Sequence, residues 1–216
     1  MSTKILSEFN IWERISRWLV GIAFFFTPLF FLPLTHLPVS LDKQVFLGGL
    51  VLLAFIAWLI GGVAKGRLVY RKNVAYFVAL GLVAFSLISA IFSGASNNGF
   101  FGANGSEVDI FVNVLVFGVF FFLLSTLFRK EGDVRYLLSL LFISSLILLI
   151  YSILQFFGIW LLPWSFTHSL VFNPIGTTNA LSVYLGAVFV TLLTLLYLDK
   201  DQFSKKAALI LTIFAI

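Results

Sequence analysis

The sequence contains no cysteine, and His36 and His168 are the only two histidines among its 216 residues. The absence of cysteine excludes disulfide bridges, thiolate catalysis and cysteine-ligated metal sites. Two histidines so far apart do not form the ligand cluster that a structural or catalytic metal requires. We therefore expect neither a metal site nor a cofactor.

Charged residues are also scarce, at 11% of the chain, whereas 61% of the residues are hydrophobic and 18% are aromatic. So few polar residues cannot cover the surface of a water-soluble core, which excludes a soluble protein. The apolar residues form six long runs, each close to the ~20 residues that span ~30 Å of hydrocarbon as a helix. These runs are residues 15–34, 45–64, 74–92, 110–128, 136–157 and 180–198.

A seventh apolar run, residues 207–216, follows a lysine pair and contains only ten residues. Ten helical residues extend about 15 Å, half the thickness of the hydrocarbon core. The sequence therefore predicts an all-α fold, a polytopic integral membrane helical bundle with six complete transmembrane helices and a truncated seventh. Residues 1–216 form a single transmembrane domain in this interpretation, the N-terminal part of a longer protein.

Basic residues indicate the orientation. All of the 14 lysines and arginines except Lys43 lie before Trp18, at or before the start of the first run, or in the segments after the second, fourth and sixth runs. The positive-inside rule places that side in the cytoplasm. We expect a multi-pass protein of the bacterial inner membrane with a cytoplasmic N-terminus and with loops 93–109 and 158–179 outside. The net charge of +5 then indicates that the basic segments contact anionic lipid headgroups of the bilayer, and it does not indicate nucleic-acid binding.

Small residues within the runs predict places where helices approach closely. Such positions are Gly48-Gly49, Gly61-Gly62 and Ser144-Ser145. Gln155, near the outer end of the fifth run, is expected to bond a neighbouring helix.

The loop 158–179 holds the candidate functional residues. Histidine is the residue type that most often serves as a base near neutral pH, and His168 is expected to face the outer compartment, so it is a candidate for catalysis. Thr177, Thr178 or Asn179 can cap the sixth helix, whose N-terminal amides then face outward. A helix start at a membrane surface can also bind an anion such as phosphate, and both interpretations of these residues stay open.

Four segments, in this order and spacing, resemble the O-antigen ligase and polymerase-related family of bacterial membrane proteins. They are 42–44 (Asp-Lys-Gln), 100–102 (Phe-Phe-Gly), 154–158 (Leu-Gln-Phe-Phe-Gly) and 176–185 (Gly-Thr-Thr-Asn-Ala-Leu-Ser-Val-Tyr-Leu). The resemblance covers most of the chain. It implies about a dozen spans, a large outer loop in the C-terminal half that holds the catalytic histidine, and transfer of a glycan from undecaprenyl diphosphate to a glycan, lipid or protein acceptor.

That reaction needs a cation to meet the departing diphosphate and a base to deprotonate the acceptor. The resemblance implies an arginine shortly before the Gly-Thr pair, where this sequence has Asn173, an amide without charge. Either the cations lie beyond Ile216 or the activity is lost or changed. The residues assigned to substrate binding are Asn173, Gly176, Thr177, Thr178 and Asn179.

Two other function classes stay open. The first is a polytopic transporter or flippase for a lipid-linked sugar, in which the six spans would form one half of a twelve-span carrier. Ion-coupled carriers normally need ionisable groups within the membrane, and the cores of the six runs have none. The second is a non-catalytic membrane assembly subunit.

Overall fold

A computed structural model describes residues 10–33, 39–68, 74–92, 100, 110–170 and 172–198 of the protein. Over these residues the chain is helical and contains no strand. The helices are α1 (Ile11–Phe26), α2 (Val39–Ala64), α3 (Val74–Phe92), α4 (Phe111–Leu127), α5 (Glu131–Phe156) and α6 (Thr178–Leu198), and a 3₁₀ turn, Ser165–Thr167, lies between α5 and α6. The all-α prediction is confirmed for these residues. The predicted seventh run, 207–216, lies outside them.

Four of these helices, α2, α3, α5 and α6, are long and apolar enough to cross a membrane. The protein is therefore a multi-pass membrane protein by helix length and composition. The prediction of six complete transmembrane helices was wrong in its count. A helix is present at each of the six predicted positions, but α1 has 16 residues and α4 has 17, which extend about 24–26 Å against ~30 Å of hydrocarbon.

One of the five prolines, Pro28, explains the end of α1. Thr27 still has αR dihedral angles, but Pro28 has no N–H group with which to continue the ladder of helical hydrogen bonds. The helix therefore ends at Phe26, although apolar residues continue to residue 34. Lys43, in the first turns of α2, donates hydrogen bonds of 2.7 Å from its Nζ to the carbonyl oxygens of Thr27 and Pro28. A cation thus satisfies carbonyls that the interrupted helix leaves unpaired.

Two helices begin earlier than predicted. α2 starts at Val39 instead of residue 45, and α5 starts at Glu131 instead of residue 136. Charged residues occupy these added first turns, so apolarity alone placed the starts too late. In α5 the carboxylate of Asp133 accepts hydrogen bonds of 3.1 Å from the backbone N–H groups of Arg129 and Lys130, which caps the helix and complements its dipole.

Two ion pairs gather four helix ends at one end of the bundle. Lys65, just after α2, pairs with Glu13 in the first turn of α1. Arg17 of α1 pairs with Asp133 of α5 and also donates to the carbonyl oxygen of Leu127 at the end of α4, at 3.4 Å. We call this the basic end. It carries every described basic residue except Lys43, which lies at the opposite end of α2.

The described part of the bundle has two apolar cores. The larger joins α1, α2 and α4 through buried side chains that include Val20, Val51, Trp58 and Leu123. The smaller joins α5 and α6 through Phe142, Val188 and Leu192. Beside it, the hydroxyl groups of Ser145 and Tyr184 lie 2.8 Å apart, which confirms Ser145 as a place where two helices meet.

Gly61 is a further confirmed point of close approach, between α2 and α1. A Cβ atom added there would lie 3.1 Å from Glu13 Cγ and 3.3 Å from Trp12 Cβ. Three residues beyond Glu13 along α1, Ser16 donates a hydrogen bond of 2.7 Å to the carbonyl oxygen of Ala54 on α2. Gly49, by contrast, faces open space, so the prediction of a close contact there was wrong.

The Gly61→Leu substitution is expected to destabilise the protein by about 1–3 kcal/mol, because the added side chain forces α1 away from α2. Thermal unfolding of the purified protein in detergent measures the effect. Gly49→Leu is the matched control, since it adds the same side chain to the same helix where no atom lies within 4 Å. Equal unfolding temperatures for the two variants would mean that α1 and α2 do not pack at Gly61.

Candidate functional site in the loop between α5 and α6

The loop from Gly158 to Thr177 is anchored by Gln155, in the last turn of α5. This side chain is 4% exposed. Its Nε2 group donates to the backbone carbonyl oxygens of Ser169 and, at 2.8 Å, of Phe172. Gln155 therefore bonds the loop that follows its own helix, not the neighbouring helix that the sequence led us to expect.

Thr167 provides a second internal contact. It ends the 3₁₀ turn, is 1% exposed, and donates from Oγ1 to the carbonyl oxygen of Trp164 at 2.6 Å. Buried hydroxyl groups need such a partner, because an unpaired one costs about 1–3 kcal/mol. With Gln155 and Thr167 both satisfied by loop carbonyls, the loop has a defined conformation.

Aromatic rings join this loop to the segment after α1. Phe31 meets Trp164 edge to face with ring centroids 5.9 Å apart, and it meets Phe172 in the same way at 5.5 Å. Phe166 contacts both Trp164 and Phe172. The edge-to-face pairs are Phe31–Trp164, Phe31–Phe172 and Phe166–Phe172, and they are favourable because the positive ring edge faces the negative ring face. The cluster holds the loop at the end of the bundle opposite the basic end.

His168 lies on the exposed surface of the loop. Its ring stacks on Trp160 with centroids 5.5 Å apart and an angle of 24° between the planes. Its Nε2 atom is 3.0 Å from the carbonyl oxygen of Leu162, which requires a proton on Nε2 and leaves Nδ1 as the acceptor of a neutral ring. The candidate base is thus oriented by a carbonyl and an indole.

The residues assigned to substrate binding lie together at the start of α6. Asn173 is 4% exposed, and both its Oδ1 and its backbone oxygen accept from the N–H group of Gly176 at 3.0 Å. Gly176 has a φ of +121°, a conformation that favours glycine. Thr177 Oγ1 accepts from the N–H group of Ala180 at 3.1 Å, so Thr177 caps α6 as predicted.

The next two residues, Thr178 and Asn179, are exposed in the first turn of α6. Their side chains therefore remain accessible at the helix start, whereas Asn173 and Thr177 are engaged in the turn. The phosphate-binding alternative stays a prediction that rests on the exposed pair.

No charged residue occurs in the loop 158–177. Among the residues that the structure describes, the charges at this end of the bundle are Asp42 and Lys43 of α2. Asp42 is 3% exposed and accepts from the N–H group of Leu32 at 3.3 Å, while Lys43 binds the carbonyl groups at the end of α1. Both side chains thus hold the α1–α2 connection.

Three contributors to this site were missed from the sequence: Phe31, Thr167 and the anchoring role of Gln155. The last had a signal, since a lone amide in the last turn of an apolar helix needs partners for its donors. His36, the other histidine, lies outside the described residues. Among those that are described, no group of three or more His, Cys, Asp or Glu side chains could hold a metal ion.

Comparison with known proteins gives no match: no family model, no curated protein and no solved structure resembles this chain closely enough to be matched to it.

Proposed function

We propose that the chain is the N-terminal membrane part of an O-antigen ligase-like glycosyltransferase, which moves a glycan from undecaprenyl diphosphate to an acceptor at the outer face of the bacterial inner membrane. The observation that carries the proposal is the loop 158–177, which is uncharged, internally bonded and placed at the end opposite the basic residues. The order of the four family-like segments adds support.

In this proposal the basic end lies in the cytoplasm, following the positive-inside rule. The two shorter helices, α1 and α4, are also embedded in the membrane, because both pack against α2 in the larger apolar core. Five embedded helices then precede the loop 158–177, which puts it on the outer side when the N-terminus is cytoplasmic.

The loop's exposed groups suit a sugar more than a diphosphate. The stacked pair Trp160 and His168 offers an aromatic surface, and the C–H bonds of a sugar ring pack against the negative face of such rings. In the neutral ring, Nδ1 of His168 can accept a hydrogen bond from a hydroxyl group of the sugar that receives the glycan. The diphosphate charge has to be met by cations from outside the described residues, because this loop has none.

Transfer is tested with the purified protein in proteoliposomes that contain an undecaprenyl-diphosphate-linked glycan and candidate acceptors. We expect the glycan to appear on an acceptor as free undecaprenyl diphosphate accumulates. Trp160→Ala is expected to lower kcat/KM by up to about tenfold through loss of the aromatic surface. Trp18→Ala, which removes another exposed tryptophan, on α1 near the basic end, is the control and should leave kcat/KM unchanged.

Failure to consume the donor with any acceptor would count against a transferase. If the glycan crossed the bilayer intact in the same vesicles, the protein would be a flippase. That outcome would replace the proposal with the transporter alternative.

A further inference from the structure

A second feature lies away from the loop 158–177, between α2, α3 and α4. A groove of about 320 Å³ is lined almost wholly by apolar atoms, from side chains that include Phe55, Trp58, Leu80, Val83 and Phe122. Gly118 and Ala79 also line it and keep the space open because of their small size. The lining residues of α3 run from Tyr76 to Val83, about 10 Å along the helix.

One end of the groove is polar. The hydroxyl group of Tyr76, which lines the groove, lies 3.3 Å from Thr126 Oγ1 on α4. The carbonyl oxygen of Thr126 accepts a hydrogen bond of 2.6 Å from Nε of Arg129. A guanidinium group thus lies directly beyond the apolar lining, at the basic end of the bundle, where Arg67 is also exposed.

This order of groups matches one leaflet of a bilayer. A phospholipid places its phosphate at the headgroup level and its chains over the next ~15 Å towards the bilayer centre. Arginine binds phosphate through parallel N–H donors, and basic residues at a membrane surface favour anionic lipids. The groove's length, apolar lining and cationic end agree with a single acyl chain whose phosphate meets Arg129.

We propose that this groove binds one acyl chain of an anionic phospholipid from the leaflet at the basic end, with Arg129 binding the phosphate. The site is independent of the proposed transferase function, because the undecaprenyl diphosphate of that proposal would lie at the opposite end of the bundle.

The test is native mass spectrometry of the purified protein in mild detergent with added phosphatidylglycerol, phosphatidylethanolamine or undecaprenyl phosphate. We expect phosphatidylglycerol to be retained in preference to the other two. Arg129→Gln should reduce its retention about fivefold, the effect of one basic residue near a membrane surface. Ala79→Phe should reduce it about tenfold by filling the groove.

Two control variants match these changes. Arg135→Gln removes a charge from α5, which does not line the groove, and Ala84→Phe adds the same ring to an exposed position of α3. Both should retain phosphatidylglycerol as the original protein does.

Equal retention of phosphatidylethanolamine would overturn the role of the anionic headgroup, and displacement by undecaprenyl phosphate would overturn the phospholipid as occupant. If a folded Ala79→Phe variant retains phosphatidylglycerol as well as the original protein does, the acyl chain does not lie in the groove. If that variant fails to fold, the lipid preference and Arg129→Gln still decide the proposal.

Discussion

Arg17→Glu is expected to cost about 3–5 kcal/mol of stability, the largest effect of any single substitution considered for this protein. Arg17 and Asp133 form an ion pair in which the side chains are 21% and 12% exposed. The guanidinium carbon also lies 4.8 Å above the ring of Phe128. Replacement by glutamate removes these contacts and leaves two carboxylates facing each other in a poorly hydrated position, where an uncompensated charge is expensive.

The measurement is the free energy of unfolding of the purified protein in detergent. Arg135→Glu is the matched control, because it makes the same change of charge at an exposed position of α5, where surface charges contribute about 0–1 kcal/mol. The double exchange Arg17→Asp with Asp133→Arg should recover only part of the loss. The pair is restored, but the backbone N–H groups of Arg129 and Lys130 lose the carboxylate that caps α5.

If the Arg17→Glu and Arg135→Glu variants had the same free energy of unfolding, the ion pair between Arg17 and Asp133 would not join α1 to α5. The arrangement of helix ends at the basic end would then have to rest on apolar packing alone.

Gln155→Leu is expected to release the loop 158–177 at a cost of about 1–3 kcal/mol. The amide of Gln155 serves two backbone carbonyl groups, those of Ser169 and Phe172. Leucine has a similar size but no donor, so the carbonyl group of Phe172 loses its donor, whereas that of Ser169 keeps the N–H group of Phe172 at 3.2 Å. An unsatisfied buried carbonyl group costs about 1–3 kcal/mol. The loop can recover part of this by opening to water, which makes local opening the expected response.

Hydrogen exchange by mass spectrometry detects that opening. The amide groups of Thr167 and Gly176, which bond within the loop at 3.0 Å, are expected to exchange at least about tenfold faster in Gln155→Leu. Ser152→Ala is the control, since Ser152 lies one turn earlier and bonds only the carbonyl oxygen of Leu148 in its own helix. Exchange that matches the control would mean that Gln155 does not anchor the loop.

The sequence predicted the positions of the helices and the capping of α6 better than their lengths. An apolar run indicates where a helix can lie in lipid. Its length does not show that a proline ends the helix early or that a charged first turn extends the helix beyond the run. Pro28 shortened α1, while Asp42 and Lys43 were placed outside a helix that includes them. Thr177 was found because capping depends on residues adjacent in the chain.

Contacts between distant segments were the part that sequence could not supply. Phe31 meets Trp164 across more than a hundred residues, and Arg17 meets Asp133 at a similar separation. Nothing in the local pattern pairs these residues, because each has many alternatives of the same type. Gly61 was recognised as a close contact and Gly49 was wrongly given the same role, since small size permits an approach without requiring one.

The proposed function requires that the loop 158–177 faces the outside while the basic end faces the cytoplasm. Because the protein has no cysteine, a single introduced cysteine is the only site for a maleimide label. Ser165→Cys reports on the loop and Lys130→Cys reports on the basic end, and both positions are exposed.

The most direct measurement is labelling of these two variants in intact cells with a membrane-impermeant maleimide, before and after permeabilisation of the inner membrane. We predict that Ser165→Cys is labelled in intact cells and that Lys130→Cys is labelled only after permeabilisation. The reverse pattern, or labelling of both positions from the same side, would contradict the topology and the outward-facing transferase with it.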